Sequence, residues 1–200
     1  MPKLCSAIVL AGGKSSRIGT DKALLRILCR LTVIQTVVGK LQTISDDVIV
    51  VTQGRKYPDL DVIWASDIYP GAGPLAGLHA GLLAAKYSHA LVVACDMPFL
   101  NTQLLEFMVS LPRKYDILIP KLTTGVEPLH AIYARRCLSP IEKRLQEHRF
   151  QTLDLINDMN VRYLSEGIIR KLDPQLQSFC NVNTWGDIRE AYILLRNKRL

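Results

Sequence analysis

Short apolar runs recur along the chain, and they constrain its fold more than any other feature. The clearest lie at residues 7–10, 48–51, 62–65 and 89–94. They lack the alternation of a half-exposed strand, so each predicts a strand that is buried on both faces. Stretches with helical spacing separate them, which predicts an α/β fold: a three-layer, mostly parallel sheet with helices on both faces.

The same patterns place the remaining elements. The first strand is predicted over residues 4–10, and further strands over 116–120, 129–134 and 161–164. Helices are predicted over 31–43, 75–86, 102–110, 139–147, 152–159 and from 184 or 185 to about 195. Asn101 is expected to cap the third of these helices, and Pro74 to lie near the start of the second.

Composition narrows the class of protein. The 200 residues, 48% hydrophobic and 22% charged, predict a single domain over residues 1–200. The net charge of +7 comes from scattered basic residues, which favours a small anionic substrate over nucleic acid. The five cysteines never form Cys-x-x-Cys, which argues against a disulfide framework and a zinc site. No signal peptide or membrane-spanning run is evident, so a cytoplasmic protein without a membrane partner is expected.

A glycine-rich loop over residues 10–22 follows the first apolar run. It reads Leu-Ala-Gly-Gly-Lys-Ser-Ser-Arg-Ile-Gly-Thr-Asp-Lys and carries three cations, Lys14, Arg17 and Lys22. Bare amides and cations at the end of a buried strand suit a polyphosphate. The spacing fits neither the Walker A loop nor the Gly-x-Gly-x-x-Gly dinucleotide motif.

Several polar segments are predicted to meet at one edge of the sheet. They are the glycine-rich loop, Thr52-Gln53, residues 67–74 and Asp96, each of which follows a predicted strand. Asp96 is a candidate Mg²⁺ ligand, because Mg²⁺ takes one or two carboxylates together with phosphate oxygens and water. Asp67 can accept from both the ring N–H and the exocyclic amine of guanine. Asn181 and Asn183 face the same side of an extended segment.

These motifs resemble those of the molybdenum cofactor guanylyltransferases. Besides the loop, the similarity includes Gly-Pro-Leu-Ala-Gly at 73–77, Cys-Asp-Met-Pro at 95–98, Glu-Pro-Leu at 127–129 and Asn-Val-Asn-Thr at 181–184. The resemblance implies a Rossmann-like fold of the nucleotide-diphospho-sugar transferase type. It also implies transfer of GMP from GTP to molybdenum-molybdopterin, with Mg²⁺ as cofactor and pyrophosphate as the second product.

Carried over position by position, the resemblance implies three sets of site residues. The catalytic set is Lys22, Arg17 and Asp96. The nucleotide-binding set is Leu10, Ala11, Gly12, Gly13, Lys22, Asp67 and Asp96, of which Asp96 holds the metal. The acceptor-binding set is Gly77, Asn181 and Asn183. The segment from Glu127 to Tyr133 is expected to shape the acceptor pocket, with His130 in a structural role.

The sequence leaves alternatives open at two points. Thr52-Gln53 stands where the family commonly has an asparagine near the base, so either Gln53 or backbone groups replace it or base selection is weaker. A cytidylyltransferase of the molybdenum cofactor, or of a sugar or polyol phosphate, is one alternative, and a non-catalytic protein that delivers the cofactor is another. The partners implied are GTP and molybdopterin, other molybdenum cofactor biosynthesis proteins and recipient molybdoenzymes.

Overall fold

The structure, a computed structural model, describes residues 5–12, 22–28, 31–184, 186, 187 and 189. Its strands are β1 (Ser6–Leu10), β2 (Arg26–Leu28), β3 (Leu31–Thr32), β4 (Val48–Thr52), β5 (Ile63–Ser66), β6 (His89–Ala94), β7 (Ile117–Leu122), β8 (Gly125–Val126), β9 (His130–Ala134) and β10 (Val161–Ser165). Its α-helices are α1 (Val33–Gln42), α2 (Gly73–Ala84), α3 (Thr102–Ser110), α4 (Leu138–Gln146) and α5 (Glu166–Ile169). Short 3-10 helices lie at Lys22–Leu24, Arg135–Cys137, Thr152–Asp158 and Gln177–Phe179.

The main sheet has eight strands and is mostly parallel, as predicted. Its order is β10-β7-β9-β6-β1-β4-β5, with β8 paired to β7. Strand β1 pairs in parallel with β4 on one side and with β6 on the other. Strand β9 runs antiparallel to both of its neighbours, β6 and β7. The start of β9 therefore lies beside the carboxyl end of β6, at the edge where the polar loops meet.

The core has two layers, one on each face of the sheet. Strand β1 contributes Val9 to one layer and Ile8 to the other, because successive side chains of a strand point to opposite faces. Helices α1 and α3 cover the Val9 face, and helices α2 and α4 cover the Ile8 face. The predicted three-layer arrangement is confirmed.

Most element boundaries follow the sequence pattern, and the departures have local causes. Helix α3 and its N-cap agree with the prediction, since the Asn101 side chain accepts from the backbone N–H of Leu104. Helix α1 begins two residues later than predicted because Leu31 and Thr32 pair with β2. Thr32 then caps the helix, and its side chain and that of Gln35 form a reciprocal capping box.

Three further details concern the helices. Helix α2 begins at Gly73 with Pro74 in its first turn, as expected. The segment predicted as a helix over 152–159 forms a 3-10 helix, which Arg144 of α4 ties down by donating to the Asp154 carbonyl at 2.8 Å. The terminal helix predicted from residue 184 or 185 lies largely outside the described residues.

Within the part of the chain that is described, no helix combines the length and apolarity needed to cross a membrane.

Close contact between α2 and β1 depends on the absence of a side chain at Gly81. A Cβ at this position would lie 2.6 Å from Cγ2 of Ile8, a buried β-branched residue that cannot move aside. We expect Gly81→Ala to lower the free energy of unfolding by about 1–3 kcal/mol through overpacking, measured by urea denaturation.

Gly39 provides the matched control, because it lies in α1 with open space around its Cα. Gly39→Ala should leave stability unchanged or raise it by up to about 1 kcal/mol, through helix propensity alone. Equal effects of the two substitutions would contradict the proposed tight contact.

Candidate active site

A cavity of about 390 Å³ opens at the carboxyl ends of β1 and β6. Backbone hydrogen bonds fix its floor: the N–H of Ala11 donates to Val51 at 2.9 Å, and that of Cys95 donates to Leu10 at 3.0 Å. The cavity is lined by Leu10, Ala11, Gly12, Lys22, Ala23, Pro74, Ala94, Cys95, Asp96, Met97, Glu127, Pro128, Leu129 and Asn181. The sheet edge predicted from the sequence thus carries a concave site.

Six of the predicted site residues line this cavity. They are Leu10, Ala11, Gly12, Lys22, Asp96 and Asn181. The chain brings them together from three distant segments, at residues 10–22, 94–98 and 181–183. Gly13 and Arg17, which were also predicted to bind here, lie outside the described residues.

Asp67, Gly77 and Asn183 are not among the lining residues. Asp67 follows β5, where its carboxylate accepts from the backbone N–H of Tyr69 at 2.7 Å and shapes the turn. Gly77 packs beneath the cavity, since a Cβ there would lie 3.2 Å from Cδ2 of Leu10. Their predicted contacts with nucleotide and acceptor stay predictions.

Asn183 does not line the cavity itself but binds Lys22, which does. The Lys22 Nζ donates to Oδ1 of Asn183 at 2.7 Å, although 161 positions separate the two residues. The segment is fixed in turn by backbone contacts: the N–H of Val182 donates to the Asp96 carbonyl at 2.8 Å. Val182, between the two asparagines in the sequence, is buried against Val33 and Phe99, and Asn181 lines the cavity.

Asp187 supports the same segment, and the sequence interpretation gave it no role. Its Oδ2 accepts from the backbone N–H groups of Asn183 at 2.7 Å and Thr184 at 2.8 Å. These hydrogen bonds, together with the nearby Lys22 charge, lower the pKa of the Asp187 carboxyl. The Thr-x-x-Asp spacing from Thr184 is a capping pattern that could have revealed this contact.

Asp96 is a half-buried carboxylate whose environment fits a cation. Burial raises its pKa, and the Lys22 charge opposes that rise. Its Oδ1 is buried and finds no hydrogen-bond partner among the described residues. Lys40 of α1 anchors the loop that follows, donating to the carbonyls of Pro98 and Leu100 at 2.9 Å each.

A metal ion at Asp96 would need further donor atoms. Within the described ranges, no group of three His, Cys, Asp or Glu side chains is placed to hold a metal ion. Asp96 would therefore need oxygen atoms from a ligand or from water to complete a coordination shell. That donor set, one protein carboxylate with phosphate and water, is the one Mg²⁺ commonly takes.

Glu127 and His130, on either side of the lining residues Pro128 and Leu129, have contrasting environments. Glu127 is one of the residues that line the cavity, and burial raises the pKa of its carboxyl. His130 is fully buried behind Leu129, and its ring packs on Phe179 with centroids 4.6 Å apart. Burial lowers the pKa of His130 to about 4, so this residue is a neutral, structural histidine.

His130 should make stability fall in mildly acidic solution. The unfolded histidine takes up a proton near its ordinary pKa of 6.5, whereas the folded one does so only near 4. The free energy of unfolding therefore falls as the pH drops from 6.5 towards 4. We expect His130→Leu to lose about 2 kcal/mol less than the unmodified chain between pH 7 and pH 5, by urea denaturation.

A second variant separates this effect from histidine removal in general. His148 is exposed and has a positive φ, which asparagine tolerates, so His148→Asn should leave the pH dependence unchanged. Parallel pH curves for all three proteins would show that the folded His130 titrates normally.

Known proteins that are similar to this chain are nucleotidyltransferases. A family model described as the MobA-like NTP transferase domain matches residues 7–158. The molybdenum cofactor guanylyltransferase of Desulfosudis oleivorans is 34% identical over 197 residues, which cover 98% of each chain. A probable molybdenum cofactor guanylyltransferase of Pelotomaculum thermopropionicum is 36% identical, over 97% of this chain and 95% of its own.

A solved structure agrees with these similarities. The crystal structure of molybdopterin-guanine dinucleotide biosynthesis protein A from Archaeoglobus fulgidus aligns with a TM-score of 0.83 and 29% sequence identity. The alignment covers 96% of this chain and 99% of the other.

Proposed function

We propose that this chain transfers GMP from GTP to molybdenum-molybdopterin. It belongs to the molybdenum cofactor guanylyltransferase family and carries a MobA-like NTP transferase domain. The products are the molybdopterin guanine dinucleotide and pyrophosphate. A single nucleotidyltransferase domain over residues 1–200 would perform the reaction. Other molybdenum cofactor biosynthesis proteins and recipient molybdoenzymes would be its partners, in the cytoplasm.

The main support for this proposal is that Lys22 and Asp96, a cation and a carboxylate, line the same cavity. Burial raises the pKa of the Asp96 carboxyl, and Lys22, which is held by Asn183, is close enough to oppose that rise. A site that offers a fixed cation, the backbone of a glycine-rich loop and an unsatisfied carboxylate oxygen suits a nucleoside triphosphate. A protein that only delivered a cofactor would have no use for that carboxylate.

The reaction needs positioning more than covalent help. An oxygen of the molybdopterin phosphate attacks the α-phosphorus of GTP, and the new P–O bond forms as the bond to the α–β bridging oxygen breaks. Pyrophosphate leaves with that electron pair. Lys22, and Arg17 from the glycine-rich loop, would bind phosphate oxygens and stabilise the negative charge that spreads in the transition state.

We assign Mg²⁺ binding to Oδ1 of Asp96, the buried oxygen that lacks a protein partner. Bound there, the ion would neutralise phosphate charge and orient the oxygens of the triphosphate. Burial raises the pKa of Asp96, and the nearby Lys22 charge favours its carboxylate form.

Base recognition is proposed on the side of β4 and β5. Asp67 has one carboxylate oxygen engaged by Tyr69, and each carboxylate oxygen has two lone pairs, so acceptor sites remain for guanine. Gln53 lies beside Gly12, with its Cγ 3.9 Å from the position of a Cβ on that glycine. Gly77, Asn181 and Asn183 are retained as acceptor-binding residues in the proposal.

The decisive experiment is a transfer assay with GTP, CTP or ATP, with and without Mg²⁺. We expect GTP to be used with molybdenum-molybdopterin at a kcat/KM at least tenfold above that for CTP. A preference for CTP would make the protein a cytidylyltransferase. Acceptor binding without any transfer would indicate a delivery protein.

Asp96→Asn tests the metal assignment at nearly constant volume. We expect kcat to fall by about 10²–10³-fold, because the charge that holds the cation against the triphosphate is lost. The variant should also need more Mg²⁺ for half-maximal activity. Asp61→Asn, at an exposed position, should match the unmodified enzyme. An active Asp96→Asn enzyme with an unchanged Mg²⁺ requirement would contradict the assignment.

A further inference from the structure

Glu127 lines the cavity, and backbone hydrogen bonds hold its main chain in place. Its backbone N–H donates to the Pro120 carbonyl at 3.1 Å, and its carbonyl accepts from the N–H of His130 at 3.1 Å. The following residue pair is also fixed, since the Leu129 carbonyl accepts from Ala94 at 3.1 Å. The Glu127 side chain is therefore presented beside the end of β6 by a well-anchored turn.

The Glu127 carboxylate has no described neighbour that satisfies it. No hydrogen bond or ion pair to its side chain occurs among the described residues, and burial alone raises its pKa. Such a group in a substrate cavity points to a ligand that supplies hydrogen-bond donors.

The charge of Glu127 limits what that ligand group can be. Direct contact with phosphate oxygens would be repulsive, so without a bridging cation the carboxylate does not bind the triphosphate. Guanine and the pterin ring system share a 2-amino-4-oxopyrimidine edge, on which a ring N–H lies next to an exocyclic amine. The two oxygens of one carboxylate match those two donors, so Glu127 suits either ring.

The order of the strands distinguishes the two rings. Gln53 and Asp67 follow β4 and β5, whereas Glu127 precedes β9, which lies three strands from β4 in the sheet. At about 4.8 Å per strand, that separation is roughly 14 Å, and a purine bound over β4 and β5 does not reach across it. Asp96, at the end of β6, lies between the two sides.

We propose that Glu127 recognises the pterin ring of the acceptor, accepting hydrogen bonds from its ring N–H and its 2-amino group. This inference rests on the proposed function and adds a specificity residue to it. The nucleotide then lies over β1, β4 and β5, and the acceptor over β6 and β9. The reacting phosphates of both substrates meet between Lys22 and Asp96.

The test compares Glu127→Gln with the unmodified enzyme in steady-state transfer, with GTP and molybdenum-molybdopterin varied in turn. We expect the KM for the acceptor to rise roughly 10- to 100-fold, because the amide replaces a charged acceptor with a donor at one of two contacts. The KM for GTP and the Mg²⁺ concentration for half-maximal activity should change less than twofold. The melting temperature should stay the same or rise, since an unpartnered carboxylate is removed.

Glu142→Gln is the matched control, because Glu142 is exposed on α4 and away from the cavity. It should leave every parameter unchanged. An unchanged acceptor KM in Glu127→Gln would overturn the inference. So would a raised KM for GTP, which would assign Glu127 to the base, or an altered Mg²⁺ requirement, which would assign it to the metal. If the unmodified enzyme bound GTP but transferred nothing to molybdopterin, the proposed function itself would fail, together with the inference that rests on it.

Discussion

Burial of β1 on both faces is the constraint on which the rest of this structure depends. All five residues of the strand are buried, and each of its edges pairs in parallel with another strand. A strand in that position needs helices above and below it, and long crossover connections to its neighbours. Those connections must leave and return at fixed ends of the sheet. The residues that follow β1 and β6, Ala11 and Cys95 among them, therefore lie side by side, and the candidate active site is there.

Chemistry at that point comes from groups that the core holds in place. Ala11 and Cys95 are fixed by backbone hydrogen bonds to neighbouring strands, so the chain can turn sharply without losing register. Lys40 reaches from α1 to hold the loop after Asp96. The charged groups of the cavity are thus supported by rigid elements, which is what stabilising a charged transition state requires.

Much of this architecture was predictable because apolar runs and cap residues carry local information. The bounds of β6 and α3 agree with the prediction, as does the Asn101 cap. Strand β9 was predicted as a strand, but its reversed direction was not, since an apolar run does not encode direction. The pairing of Leu31 with β2 was missed because two residues leave too short a pattern.

The candidate site, too, was only partly predictable from the sequence. Asp96, Lys22 and Asn181 follow recognisable motifs, and the structure brings them to one cavity. Long-range contacts, such as Gly77 against Leu10 or Lys22 on Asn183, depend on packing between elements far apart in sequence. Glu127 was visible only as part of a motif, because its lack of a partner is a property of the folded chain.

The hydrogen bond between Lys22 and Asn183 joins segments from opposite ends of the chain. During synthesis, β1, β4 and β6 can pair well before residue 183 has left the ribosome, since their connections are shorter. Lys22 gains its fixed position only when the segment around Val182 docks against Asp96. The sheet and the candidate site are therefore completed at different times, and a nascent chain passes through a stage that has the core but not the finished site.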